Sequence, residues 1–402
     1  MNKPELLSPA GDFEKLQIAI AYGADAVYLG GKHLSLRANA KNFDTDELEN
    51  AVNYAHARNV KVYVGVNIFA HNRDIVDVDA YLRTIKELNA DAVIIADPGV
   101  FNIARKIKGL VIHISTQANV TNHESAAFYH QLGASRIILA RELNNREIHE
   151  IREKNPGLEL EVFAHGAMCV SYSGRCLMSS YMTGRDANKG DCAQPCRSEY
   201  FLYEEQRPGA YMPVHEDERG TYILNSKDLC LVEHIPALVA AGVTGLKIEG
   251  RMKSPYYTAT VTHAYRQAID DFFASESLYE SRKQYYLDEL KKSATRDFTT
   301  GFFTGNPQDT LSYTHTSIRA AQDFLGIVTA YDPETQTATV EQRNKFETGD
   351  EVEFIKSRQT QTITDMRDRE NAPVFIANKV KQLLNFKVNN PVDIFDIMRK
   401  RV

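Results

Sequence analysis

The chain has 402 residues, 53 acidic against 47 basic side chains for a net charge of −6, and an ordinary apolar fraction of 43%. That length allows one large domain and a smaller companion, and the weak negative charge excludes a molecule that holds nucleic acid through its overall field, so an RNA site has to be a local patch. No stretch approaches the roughly 20 apolar residues that span a bilayer, and the amino terminus has no cationic lead before an apolar run, so the expectation is a cytoplasmic protein without membrane contact.

In chain order one phrase recurs: a helix stops at Gly or Asn, a short polar step follows, and an apolar run begins. It occurs at Gly23-Ala24-Asp25, Asn89-Ala90-Asp91, Gly133-Ala134-Ser135 and Gly242-Val243-Thr244. A Gly or Asn just past a helix takes the left-handed cap, and a short apolar run is how a parallel strand buried on both faces reads. Strands are expected near Leu6–Ser8, Ala26–Leu29, Val62–Val66, Ala92–Ala96, Val111–Ser115, Arg136–Ala140, Leu160–Ala164 and Leu246–Ile248. Helical spacing lies between most of them, as where Phe13, Leu16 and Ile20 share one face. Eight such strands predict an α/β fold of the (β/α)8 TIM-like barrel type, with an open α/β sheet as the competing arrangement.

Barrel enzymes carry their chemistry on the loops after the strands. The residues there include Asn67, Gln117, Arg141, His165, Lys247, Glu249 and Arg251. The spacing breaks once, after the seventh strand, in a long insertion over residues 166–244 that holds all five cysteines: Cys169, Cys176, Cys192, Cys196 and Cys230. An odd number of crowded thiols in a reducing compartment points to metal before disulfide. Four thiolates complete either a zinc or an iron–sulfur site, and only the Cys192–Cys196 step has the tight spacing common in zinc knuckles.

After the barrel, assigned to residues 1–272, a helical and loop linker is expected over 273–320, with an aromatic and glycine-rich loop from Arg296 to Asn306. Short alternating strands at Leu325–Tyr331, Thr337–Glu341 and Val352–Ile355 predict a small carboxyl-terminal β-barrel over 321–402. Arg343, Lys345, Lys356, Arg358, Lys379 and Lys381 give that domain a modestly basic aspect.

The run Glu161-Val162-Phe163-Ala164-His165-Gly166-Ala167-Met168-Cys169, followed by Ser173-Gly174-Arg175-Cys176-Leu177-Met178-Ser179, resembles the signature of the peptidase U32 family. Further blocks of the resemblance are Leu6-Leu7-Ser8-Pro9-Ala10-Gly11, Ala26 to Gly30, Asp191 to Arg197 and Lys247-Ile248-Glu249-Gly250-Arg251. Despite the name, the family implies oxygen-independent hydroxylation. The long form with an added carboxyl-terminal domain implies a prephenate-dependent conversion of wobble uridine 34 of tRNA to 5-hydroxyuridine. It further implies a [4Fe–4S] cluster, which by position would sit on Cys169, Cys176, Cys192 and Cys230, with Cys196 as a possible substitute for Cys192. tRNA and the dicarboxylate prephenate are the expected partners, and relatives of the family can work with a homologous protein partner.

Guanidinium groups are the usual bidentate partners of carboxylates, which makes Arg37, Arg141, Arg175 and Arg251 candidate substrate-binding residues, with Asn67 and Gln117 beside them. His165, Lys247 and Glu249 are the candidate proton carriers, Lys247 and Glu249 alternating on one strand and so sharing a face as an ion pair or acid/base couple. Two other functions compete: a peptidase, although the chain has neither a His-Glu-x-x-His helix nor a Gly-x-Ser-x-Gly elbow, and a zinc-stabilised RNA-binding module without catalysis.

Overall fold

The computed structural model describes residues 2–32, 34–35, 41–169, 171–195, 216–217, 220–221, 227–305 and 322–401. Seven parallel strands follow one another around a barrel: β1 (Glu5–Pro9), β2 (Ala26–Gly30), β3 (Lys61–Val66), β4 (Ala92–Ile95), β5 (Ile112–Ile114), β6 (Arg136–Ile138) and β7 (Glu159–Ala167). After β8 (Asp228–Cys230), strand β9 (Gly245–Ile248) pairs in parallel with both β7 and β1, which closes the barrel at eight strands and removes the open-sheet alternative. β8 is not a barrel stave. It runs antiparallel along the upper end of β7, setting Cys230 opposite His165, and pairs on its other side with β10 (Phe298–Thr299).

Local sequence explains the alternation. The strands are buried along almost their whole length, as both-face burial demands. Each of four loops leaving a strand ends in a residue whose side chain caps the next helix: Asp12 before α1 (Phe13–Ala21), Asp44 with Glu47 before α2 (Thr45–His56), Asp97 before the helix Pro98–Ala104, and Asn144 with Glu147 before Asn145–Lys154. Each return step passes through a left-handed residue at the position read from sequence, with φ of 95° at Gly23, 59° at Asn89, 105° at Gly133 and 76° at Gly242.

The lower barrel interior is ionic. Arg136 bonds Glu5 at 2.6 Å, Glu159 at 2.7 Å and Glu161 at 3.0 Å, and Lys247 reaches Glu161 at 3.2 Å. Tyr63 donates to Glu5 and packs its ring edge to face on His113, completing a plug beneath the site.

The segment following the barrel begins with the long helix Pro255–Ala274, which leads directly into Glu276–Ser293, and Tyr279, Tyr286 and Leu290 of the second helix belong to the barrel's own core. The carboxyl-terminal unit is an antiparallel half-barrel built on a six-stranded sheet, its core formed by Leu325, Val328, Val340, Phe354, Leu384 and Met398. It docks on α1 and the helix Pro255–Ala274, where Ile18, Tyr22 and Tyr256 meet Ile327, Ile355 and Ile397. Tyr22 Oη accepts from the Ile397 amide at 2.9 Å, and the buried Arg399 bridges Glu289 at 2.8 Å and Glu353 at 3.0 Å. Of the basic residues noted in sequence, Arg343 pairs with Glu14 and Glu341, Lys356 with Asp393, Lys345 with Glu347 and Lys381 with Glu341, the last two remaining exposed as Lys379 is. Among the described residues no helix is long and apolar enough to cross a membrane.

Candidate active site at the barrel mouth

A cavity of about 180 Å³ lies at the carboxyl ends of the strands, between the barrel and the cysteine-bearing insertion. Asn67, Gln117, Arg141, Lys247, Glu249 and Arg251 line its barrel side. Cys169, Cys176 and Cys192 line the side supplied by the insertion. Residues from the third, fifth, sixth, seventh and ninth strands or the loops after them thus converge with three thiols on one space.

The sequence blocks meet because glycines let backbones touch. A Cβ on Gly11 would lie 2.0 Å from the Arg251 carbonyl oxygen, one on Gly30 would lie 2.3 Å from Arg251 Nη1, and one on Gly166 would lie 2.4 Å from the Glu249 carbonyl oxygen. The segments Leu6–Gly11, Ala26–Gly30 and His165–Ala167 are therefore the seat of Lys247–Arg251.

Arg251 is 4% exposed and its guanidinium is fixed by Ser35 at 2.9 Å and Asn42 at 3.1 Å. Arg141 lays its guanidinium 3.8 Å from the Phe163 ring centre, donates from Nη1 to the Ala167 carbonyl at 2.6 Å, and stands 3.7 Å from Glu249. Its buried Nε has no hydrogen-bond partner among the described residues. Asn67 donates to Gln117 Oε1 at 3.1 Å, joining the third and fifth loops.

Lys247 and Glu249 do share the cavity, but the couple expected between them is not what forms. Lys247 pairs with Glu161 on β7, lower in the barrel, and Glu249 faces Arg141. Two residues of strand separate their levels by about 6.6 Å, which places each beside a different partner. Burial lowers the Lys247 pKa, opposed by Glu161, and its ammonium sits 4.4 Å from the Tyr28 ring centre.

His165, Arg175 and Cys230 do not line the cavity. His165 is 2% exposed, boxed by the rings of Tyr257, Tyr265 and Phe298, and burial pushes its pKa down to about 3. Arg175 is exposed on the rim, over the Phe69 ring, and donates from Nε to the Gln117 carbonyl at 3.0 Å. The Cys230 thiol lies in the barrel wall, 3.9 Å from Tyr265 Oη, and burial pushes its pKa up to about 12. Arg37 and Cys196 lie outside the described residues.

Sequence reasoning passed over the aromatic walls Tyr28 and Phe163, although both stand inside the recognisable blocks, and adjacency in the chain would pair Glu142 with Arg141. Glu142 instead accepts two bonds from Ser173. Cys169 is raised in pKa by burial first, then by the neighbouring Cys176 and Cys192. Thiols that feel one another on one cavity are a donor set suited to a soft metal centre, although among the described residues no three His, Cys, Asp or Glu side chains are gathered as closely as a single ion requires.

Family models match almost the entire length: peptidase family U32 over residues 11–312 and the peptidase family U32 C-terminal domain over residues 320–399. The chain is 41% identical over 405 residues to tRNA hydroxylation protein P1 of Bacillus subtilis, covering 99% of this chain and 95% of that one. It is 40% identical to tRNA hydroxylation protein P of Escherichia coli, covering 88% and 86%. An uncharacterized protease of Methanocaldococcus jannaschii is 46% identical over 74% of this chain and 72% of its own. Matched in both domains and over 95% of the Bacillus subtilis relative, the chain belongs to the peptidase U32 family.

Proposed function

We propose that the chain is an RNA-modifying enzyme that hydroxylates tRNA, and more finely that it converts wobble uridine 34 to 5-hydroxyuridine with prephenate as co-substrate and a [4Fe–4S] cluster at the barrel mouth. The observation that carries this reading is the convergence of Cys169, Cys176 and Cys192 with the buried Arg251 and the half-buried Arg141 on one cavity. The full-length likeness to proteins named for tRNA hydroxylation supports the reaction class.

Cys169, Cys176 and Cys192 would hold the cluster from the cavity side. Cys230 is the fourth ligand that the family resemblance implies, with Cys196 as the alternative. Bound there, the cluster supplies redox chemistry that needs no molecular oxygen. The remaining roles belong to side chains already in place. Arg141, with its unpartnered buried Nε, and the clamped Arg251 offer two guanidinium groups to a small dicarboxylate. Phe163 and Tyr28 line the cavity as aromatic walls that hold the Arg141 guanidinium and the Lys247 ammonium over their rings. Lys247 and Glu249 are the groups positioned to hold or pass a proton inside the cavity. His165 does not line the cavity and is not placed beside that step.

The peptidase alternative finds little support at this site. No histidine lines the cavity among the described residues, and the hydroxyl that the insertion loop brings to it, on Ser173, donates to a carboxylate rather than to a base. Anaerobic purification tests the proposal. About four iron and four acid-labile sulfide per chain are expected, with loss of iron in Cys169→Ala; a colourless protein holding stoichiometric zinc would sink it. Iron retained in Cys230→Ala and lost in Cys196→Ala would move the fourth ligand to Cys196.

A further inference from the structure

Ser173 lies on the short loop between Cys169 and Cys176, is 3% exposed, and holds φ 42° and ψ 35°, a left-handed conformation that side-chain-bearing residues seldom adopt. What holds it there is Glu142, from the loop after β6. One carboxylate oxygen accepts the Ser173 amide at 2.6 Å and the other accepts its hydroxyl at 2.5 Å. The Arg141 amide donates to the same hydroxyl oxygen at 3.3 Å, and Arg141 Nη1 fixes the Ala167 carbonyl, two residues before Cys169. The end of β6 therefore grips the first cysteine loop on both sides.

The second thiol is clamped as directly. Asn188 accepts the Cys176 amide at 3.2 Å and donates to the Cys176 carbonyl at 2.9 Å, while its own carbonyl accepts from Phe69 of the loop after β3. The third is tied through its neighbour: Ser179, fully buried, accepts the Ala193 amide at 2.9 Å, one residue past Cys192. The stretch is built of short helical turns, Tyr172–Gly174, Met178–Thr183 and Ala187–Lys189, and side-chain-to-backbone bonds fix how these turns and the thiols between them sit against one another.

Resting on the cluster proposed above, we propose that Glu142 and Asn188 are positioning residues that preform the thiol set: they hold the Cys169–Cys176 loop in its ligating shape before a cluster arrives and keep it there afterwards. Neither bonds a thiol. Each acts on the backbone that carries one, the role outer partners play at metal sites generally.

The test uses the full-length protein purified without oxygen, with iron loss to excess chelator followed by absorbance and by iron per chain, and thermal unfolding measured alongside. Glu142→Ala and Asn188→Ala are expected to lose iron about tenfold faster than wild type with nearly unchanged melting temperature. Adding Ser173→Gly to Glu142→Ala recovers part of that loss, because glycine takes the left-handed conformation without a clamp. Should Glu142→Ala fail to fold, Asn188→Ala carries the comparison alone, since its side chain bonds only the Cys176 peptide among the described residues. Loss rates within about twofold of an iron-bearing wild type would overturn the inference. A wild type without iron refutes the cluster instead. In that case reaction of the metal-free thiols with a disulfide reagent decides: faster in both variants if the loop is preformed, unchanged if it is not.

Discussion

At Gly166 a single hydrogen stands where any side chain would strike the Glu249 carbonyl, and its φ of 107° belongs to glycine. Gly166→Ala is therefore expected to lose at least ~2 kcal/mol of stability and to push Glu249 out of the cavity, checked by urea unfolding; an unchanged midpoint would contradict the close approach. Lys247 makes a different kind of demand. Its ammonium and the Glu161 carboxylate are buried together, so Lys247→Met leaves the carboxylate short of a partner and is expected to cost about 3 kcal/mol. A loss below ~1 kcal/mol would show that Arg136 alone satisfies Glu161. At this scale the sequence was legible where spacing dictates neighbours and silent where folding does. Lys247 and Glu249 could be placed on one face from strand alternation, but their true partners come from β7 and from the loop after β6, more than eighty residues away in each case.

Elements were more legible than contacts. Each strand of the barrel carries its own apolar run and four of the joints their own left-handed residue, so the eight staves can be counted from the residues alone. β8 escaped because its three residues lie in the insertion and borrow their pairing from an overlong β7 rather than from a local pattern. That pairing is also why Cys230 and His165 stand side by side in the wall, both against Tyr265, and away from the cavity. The helix Pro255–Ala274 carries the half-buried imidazole of His263, whose ring meets Tyr22 at the domain interface. Burial first, then Arg358, pushes its pKa down to about 4. The unfolded chain accordingly binds a proton, near its ordinary pKa of 6.5, that the fold refuses. Stability present above pH 6.5 is lost as pH falls toward 4, by about 1.4 kcal/mol per pH unit from this group. His263→Leu should flatten the stability profile between pH 6.5 and 5 by roughly 2 kcal/mol, read by denaturant unfolding at several pH values; an unaltered slope would exclude the neutral imidazole.

For the whole molecule, two hydrophobic cores are joined by a third, in which α1 and Pro255–Ala274 bury Ile18, Tyr22 and Tyr256 against the half-barrel. Removing residues 322–402 exposes that face and leaves Glu289 without Arg399, so the truncated chain is expected to self-associate on size exclusion; a monomeric truncation with an unchanged melting temperature would contradict rigid docking. The roles of the cavity residues all depend on the proposed hydroxylation of tRNA at the cysteine-lined barrel mouth. Nucleoside mass spectrometry of tRNA tests it most directly, in a host stripped of its own 5-hydroxyuridine-forming proteins and carrying either the wild-type chain or Cys169→Ala. 5-Hydroxyuridine and its derivatives are expected to return with the wild type and to stay absent with the variant. Their absence with the wild type, or their return with both, would contradict it.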